Sequence, residues 1–115
     1  FPLNVYGASK CWGEALARVY ATQHGLSCIN VRLGLPRFDQ AGGWDPEQPN
    51  YGISERDMAQ LFACCLDVAG VDHAIVPGVS RHRRAWMDHE DACRILGYQP
   101  QDGTAFPKAI SQDKS

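Results

Sequence analysis

Tyr6-Gly7-Ala8-Ser9-Lys10 places a phenol and an ammonium four residues apart. At 3.6 residues per helical turn, two such side chains stand only about 40° apart around the axis, so on a helix they can face one ligand. A free tyrosine, with a pKa of about 10, is a poor base at neutral pH, and a cation a few ångströms away favours its phenolate. The chemistry on offer is proton abstraction from an alcohol by a general base poised near the working pH. A Tyr and a Lys four apart also arise by coincidence on helix surfaces. What distinguishes this pair is its place where a helix begins, with small residues between and after it and then a turn and a buried-looking strand.

The element that must carry the pair is a helix over 7–24, opened by Gly, Ala and Ser, filled by Glu14, Ala15, Leu16, Ala17 and Arg18, and stopped by Gly25. On its wheel Gly13 and Ala17 continue the stripe of Tyr6 and Lys10, leaving a nearly flat face. Trp12, Leu16 and Val19 form an apolar stripe for a core or a partner helix, and Glu14 with Arg18 reads as an i, i+4 pair on the wet side. Ile29, Val31 and Leu33 alternate with Cys28, Asn30 and Arg32 as a strand. Helix, glycine turn and strand make half a βαβ unit.

Residues 34–53 hold Gly34, Pro36, Gly42, Gly43, Pro46, Pro49 and Gly52, which predicts a long loop. Ser54 and Asp57 have capping-box spacing, and Met58, Leu61, Phe62, Cys65 and Leu66 recur with helical period, so a second helix is expected from Glu55 to Ala69, ended by Gly70. Ala74-Ile75-Val76 reads as a short strand. Asp88 can cap a third helix bearing Ala92, Ile95 and Leu96, stopped by Gly97 and Pro100. One domain portion over 1–100 and a polar tail over 101–115 are expected.

The chain has 115 residues, 44% hydrophobic and 21% charged, which suits one globular domain or part of one. Its net charge of −2 carries no basic footprint for nucleic acid or an anionic membrane. No apolar run suits a spanning helix, so a soluble, cytoplasmic protein is expected. Cys11, Cys28, Cys64, Cys65 and Cys93 are odd in number and lack C-x-x-C spacing, which fits buried, reduced thiols. His73, His82 and His89 have no ligand spacing, and no metal site is expected. Arg81, Arg83 and Arg84 around His82 read as a solvated basic loop, and Trp86 and Tyr98 as packing. The chain starts at Phe1 rather than Met and meets the Tyr-Lys motif at once, which suggests a piece of a longer polypeptide.

Tyr6-Gly-Ala-Ser-Lys10-Cys-Trp-Gly13-Glu14, His24-Gly25-Leu26-Ser27 and Val31-Arg32-Leu33-Gly34 resemble an extended short-chain dehydrogenase/reductase, of the NAD-dependent epimerase/dehydratase family. Gly78-Val79-Ser80, Trp86, Asp88 and the run from Ala92 to Leu96-Gly97-Tyr98 and Asp102 further resemble its uronate dehydrogenase branch. The resemblance implies an α/β fold, the C-terminal part of a Rossmann-like doubly wound parallel sheet that lacks the N-terminal dinucleotide-binding half. It implies NAD as cofactor, with NADP left open, and a sugar or sugar acid as substrate. Tyr6 would be the base, and Lys10 would hold the nicotinamide ribose. Leu33 and Pro36 would lie against the nicotinamide, Leu35 beside the substrate, and the resemblance adds a homodimer through helix 7–24.

The sequence also departs from that family. No strand leads into G-x-x-G-x-x-G, no catalytic Ser or Thr precedes Tyr6, and the branch's polar residue and carboxylate-gripping arginine are replaced near Leu35 and Gly52. Arg37 or Arg56 would be the substitute carboxylate partner, with Arg37 the chosen candidate. These gaps set the competing expectation: a truncated, non-catalytic remnant that only self-associates. As an isolated chain it would bind NAD weakly and be inactive.

Overall fold

Asn4 stands in extended backbone at φ −152° and accepts the Gly7 N–H on its side-chain oxygen at 2.7 Å. An Asx cap of this kind satisfies an amide that the first helical turn leaves without a partner. The first helix, α1, therefore runs Val5–His24, two residues earlier than expected, and Tyr6 sits inside its first turn. The computed structural model describes residues 4–38, 52–82 and 89–105. At its other end Gly25 takes φ 67°, a conformation costly for any residue with a Cβ, and the chain doubles back into the first strand, β1 (Cys28–Leu33).

β1 pairs in parallel with β4 (His73–Gly78), Cys28 opposite His73 through Leu33 opposite Gly78. Between them lie β2 (Leu35–Arg37), β3 (Gly52–Ser54) and α2 (Glu55–Asp67), and α3 (Glu90–Leu96) follows β4. Residues 34–53 are thus not all loop: β2 and β3 form a second parallel pair, Leu35 opposite Gly52 and Arg37 opposite Ser54. Pro36 occupies the middle of β2; a proline is tolerated in a short strand whose missing N–H faces away from its one partner. Gly42 and Gly43 lie outside the described residues, as do Arg83, Arg84, Trp86 and Asp88.

α2 ends at Asp67, with Val68 as its cap and its N–H on the Cys64 carbonyl, rather than running to Ala69 and Gly70. α3 has His89 at its cap position and Gly97 in the left-handed conformation after it. Ile53, Leu61, Ala74, Val76, Ala92, Leu96 and Tyr98 form the core. On β1 the alternating side chains divide the layers: Ile29 and Val31 pack towards that core under α2, while Asn30 and Arg32 face α1.

Two expectations about exposure fail. Residues 101–105 are not the start of a solvated tail: Asp102, Gly103 and Thr104 are buried, and the Arg81 backbone bonds on either side of Gly103, its N–H donating to Asp102 O at 2.8 Å and its carbonyl accepting from Ala105 N–H at 3.0 Å. The Asp102 carboxylate accepts from Ser54 Oγ at 2.5 Å and from both Nε and Nη2 of Arg56 at 2.8 and 2.7 Å. Polarity marked the segment as a tail; its partners, some 45 residues upstream, make it part of the interior. The five cysteines form no disulfide, but Cys11 is exposed and the other four are half-buried. Burial pushes the Cys65 thiol up, with Cys64 adding to the shift.

Candidate active site

Tyr6 and Lys10 share one side of α1, and the Lys10 Nζ lies 5.2 Å from the centroid of the Tyr6 ring. That is within the range in which an ammonium is attracted to an aromatic face. Because α1 runs back along β1, its N-terminal end meets the carboxyl end of the strand, where open α/β sheets bind their ligands. An open cavity of about 920 Å³ lies there, walled by Tyr6, Lys10, Trp12, Gly13 and Glu14 from α1, Asn30 and Arg32 with Leu33 from β1, and Pro36 beyond it.

Four of the expected site residues, Tyr6, Lys10, Leu33 and Pro36, are therefore brought together. Leu35 and Arg37, expected on the substrate side, do not line this cavity. Leu35 is 47% exposed, and Arg37 stands within electrostatic reach of His82 instead. Alternation explains the difference: along β2 neighbouring side chains point to opposite faces, so Pro36 and its two neighbours cannot share one wall. Arg56, the other candidate carboxylate partner, is engaged by Asp102.

The sequence reading missed a second pair on the same wall. Glu14 does not pair with Arg18; it accepts from Arg32 Nε at 2.8 Å and Nη2 at 2.9 Å. The guanidinium holds the Glu14 carboxyl below its ordinary range, and the carboxylate pushes Arg32 up in return. Beside them the Asn30 amide nitrogen lies 3.3 Å from His73 Nε2. The four-residue step from Lys10 puts Glu14 on this side of α1, but nothing local points to Arg32, 18 residues away, as its partner. Among the described residues no group of three or more His, Cys, Asp or Glu could hold a metal ion, and no helix is long and apolar enough to cross a membrane.

No protein-family model matches the chain. The NAD-dependent glucose-6-phosphate dehydrogenase of Haloferax volcanii is 39% identical over 105 residues, covering 90% of this chain and 39% of that protein. The uronate dehydrogenase of Pseudomonas putida is 33% identical over 108 residues, covering 90% of this chain and 37% of that protein. Its homologues are uronate and glucose-6-phosphate dehydrogenases of the NAD-dependent epimerase/dehydratase superfamily. The chain spans about two fifths of the length of the curated relatives in this superfamily that it matches. A tyrosine-to-alanine variant of uronate dehydrogenase from Agrobacterium tumefaciens, solved in complex with NAD, superposes with a TM-score of 0.76 at 22% identity, over 98% of this chain and 44% of that one. That likeness establishes the fold: an α/β arrangement matching the C-terminal part of Rossmann-type dehydrogenases, as expected from the sequence.

Proposed function

We propose that Tyr6 and Lys10 are the proton-handling pair of an NAD-dependent sugar or sugar-acid dehydrogenase, acting in the cytoplasm, of which this chain forms the C-terminal part. The observation that carries this reading is the convergence of Tyr6, Lys10, Leu33 and Pro36 on one cavity at the carboxyl end of β1, with the ammonium 5.2 Å from the phenol ring. The relatives named above support the reaction class.

The wall fits the nicotinamide and ribose end of the cofactor. Leu33 and Pro36 offer apolar surface, Lys10 offers a donor for ribose hydroxyls, and Gly13 leaves the α1 face flat, with nothing within 4 Å of where its Cβ would stand. No glycine-rich turn among the described residues fits the pyrophosphate, so NAD or NADP would need residues beyond these. When bound, the cofactor supplies the hydride acceptor. The Tyr6 oxygen takes the proton of the sugar hydroxyl, and the Lys10 ammonium, with the N-terminal end of α1, attracts the negative charge on that oxygen. Leu35 and Arg37, off the wall, take no part in this scheme.

In the enzyme that contains these residues, Tyr6→Phe should lower NAD-linked oxidation of a hexuronate or glucose 6-phosphate by about 10²–10⁴-fold, the usual worth of a general base. NAD affinity, read by quenching of tryptophan fluorescence, should stay within about threefold. Turnover by Tyr6→Phe close to that of the parent would refute the assignment. A second reading, a self-associating domain without catalysis, draws on Trp12, Leu16 and Val19, which are 68%, 38% and 49% exposed along one side of α1.

A further inference from the structure

We infer that Glu14 and Arg32 are a positioning pair that sets the rotation of α1 over the sheet and so the aim of Tyr6 and Lys10. The inference rests on the reading of Tyr6 and Lys10 given above. It starts from the seam between α1 and the sheet. Along the whole helix only Ala21 is buried, and only Gly7, Glu14 and Ala17 are half-buried. These four fall on one narrow stripe, and three of them have a methyl group or less.

A seam of Gly and Ala lets the helix come close to the strand but gives it no knob to lock into a hole, so packing alone leaves rotation about the helix axis weakly defined. Glu14 is the one long side chain among these four. Its two bonds to the Arg32 fork are, among the described residues, the only hydrogen bonds from an α1 side chain to another element. A bidentate carboxylate–guanidinium contact fixes direction as well as distance. Tyr6, Lys10 and Glu14 succeed one another at four-residue steps, each about 40° further round the axis, so a turn of the helix at Glu14 carries the other two with it. Arg32 in turn precedes Leu33, on the far wall of the same cavity. The pair thus ties the two walls in register, although neither residue need touch the reacting atoms.

The experiment has two arms. In the ¹⁵N-labelled chain, residual dipolar couplings report the direction of α1 relative to β1 and β4. Glu14→Gln, Arg32→Met and the milder Arg32→Lys should each reorient α1, and the exchanged double variant Glu14→Arg/Arg32→Glu should restore it. Parental orientation in the single variants, or no restoration in the double, would overturn the inference. In the enzyme containing these residues, the single variants should lower kcat by about 10- to 100-fold, the cost of misaiming by about an ångström. KM for the sugar substrate should hold within about threefold, with kcat recovered in the exchanged double; a loss of stability alone would not give that split and recovery. Absence of NAD-linked turnover in the parent would defeat the role of Tyr6 and Lys10, while the orientation arm would still decide the pair.

Discussion

Asp57 shows how one side chain can hold several elements. Its spacing from Ser54 suggested a reciprocal capping box, and half of it forms: Ser54 Oγ accepts the Asp57 N–H at 3.1 Å. The carboxylate turns inward instead, accepting from Ser80 Oγ at 2.6 Å, Gln101 N–H at 2.7 Å and Asp102 N–H at 3.0 Å, while the Ser54 N–H goes to Ser80 Oγ. Asp57 is wholly buried, so Asp57→Ala strands two donors away from water, the Ser80 hydroxyl and the Asp102 N–H. At about 1–3 kcal/mol for each unsatisfied group, the loss should reach about 2 kcal/mol or more. Asp57→Asn, which keeps one accepting oxygen, should lose less; urea midpoints at constant m-value measure both. His82 gives the pH dependence at the same scale. Its Nε2 lies 2.9 Å from the Gly52 carbonyl and its Nδ1 3.3 Å from Thr104 Oγ1, which suits a neutral ring. Burial holds it below its ordinary value of 6.5, with Arg37 and His89 adding and the Gly52 carbonyl opposing. The unfolded chain therefore takes up more protons than the folded one as pH falls through 6.5, and stability should decline until the folded ring also titrates. His82→Gln should flatten that slope in urea titrations run across the same pH range.

Among the elements, those with a strong internal period were legible before any coordinates. α1 and α3 announced themselves by their glycine stops, α2 by its Ser54 cap and apolar spacing, and β1 by alternation, because those signals come from contacts made within a few residues. Ser54 as the cap of α2 and Gly25 and Gly97 as helix stops were read correctly for that reason. β2 and β3 were hidden because a three-residue strand has no period to detect, and because Pro36 and Gly52 are ordinary loop punctuation. The Glu14–Arg32 tie and the burial of Asp102 depend on partners 18 and 46 residues away. No local pattern carries such information, so each was assigned to solvent. Gly103 makes the same point for a glycine. It stands at φ 133°, and a Cβ there would run into the backbone carbonyl of Arg81. Gly103→Ala should therefore cost about 1–3 kcal/mol in conformational strain, with the clash in addition. It should also speed amide exchange at Arg81 and Ala105, whose bonds flank it.

For the whole molecule the deciding quantity is what the described residues leave uncovered. Cys28 N–H bonds to Asp72 O and Gly34 N–H to Gly78 O, so by strand alternation the backbone groups of Ile29, Val31 and Leu33 face away from β4, towards an edge with no partner strand among the described residues. In addition, Trp12 and Val19 on α1 are 68% and 49% exposed, and Leu66 on α2 is 86% exposed. Exposed apolar surface together with an open strand edge favours association. A standard interface takes about 800 Å² from each partner, roughly a tenth of the 7620 Å² surface of this chain, an area that the outer side of a twenty-residue helix can supply. A homodimer through α1 is the expected form, and it can be told apart from edge or α2 association by where a charge breaks it. Sedimentation equilibrium of the chain should show reversible dimerisation, and Leu16→Glu or Val19→Lys should shift it to monomer. Leu66→Lys, on the other side of the sheet, should leave the dimer intact. Loss of the dimer in the Leu66 variant, with its retention in the two α1 variants, would place the contact on α2 and remove the homodimer proposed for α1.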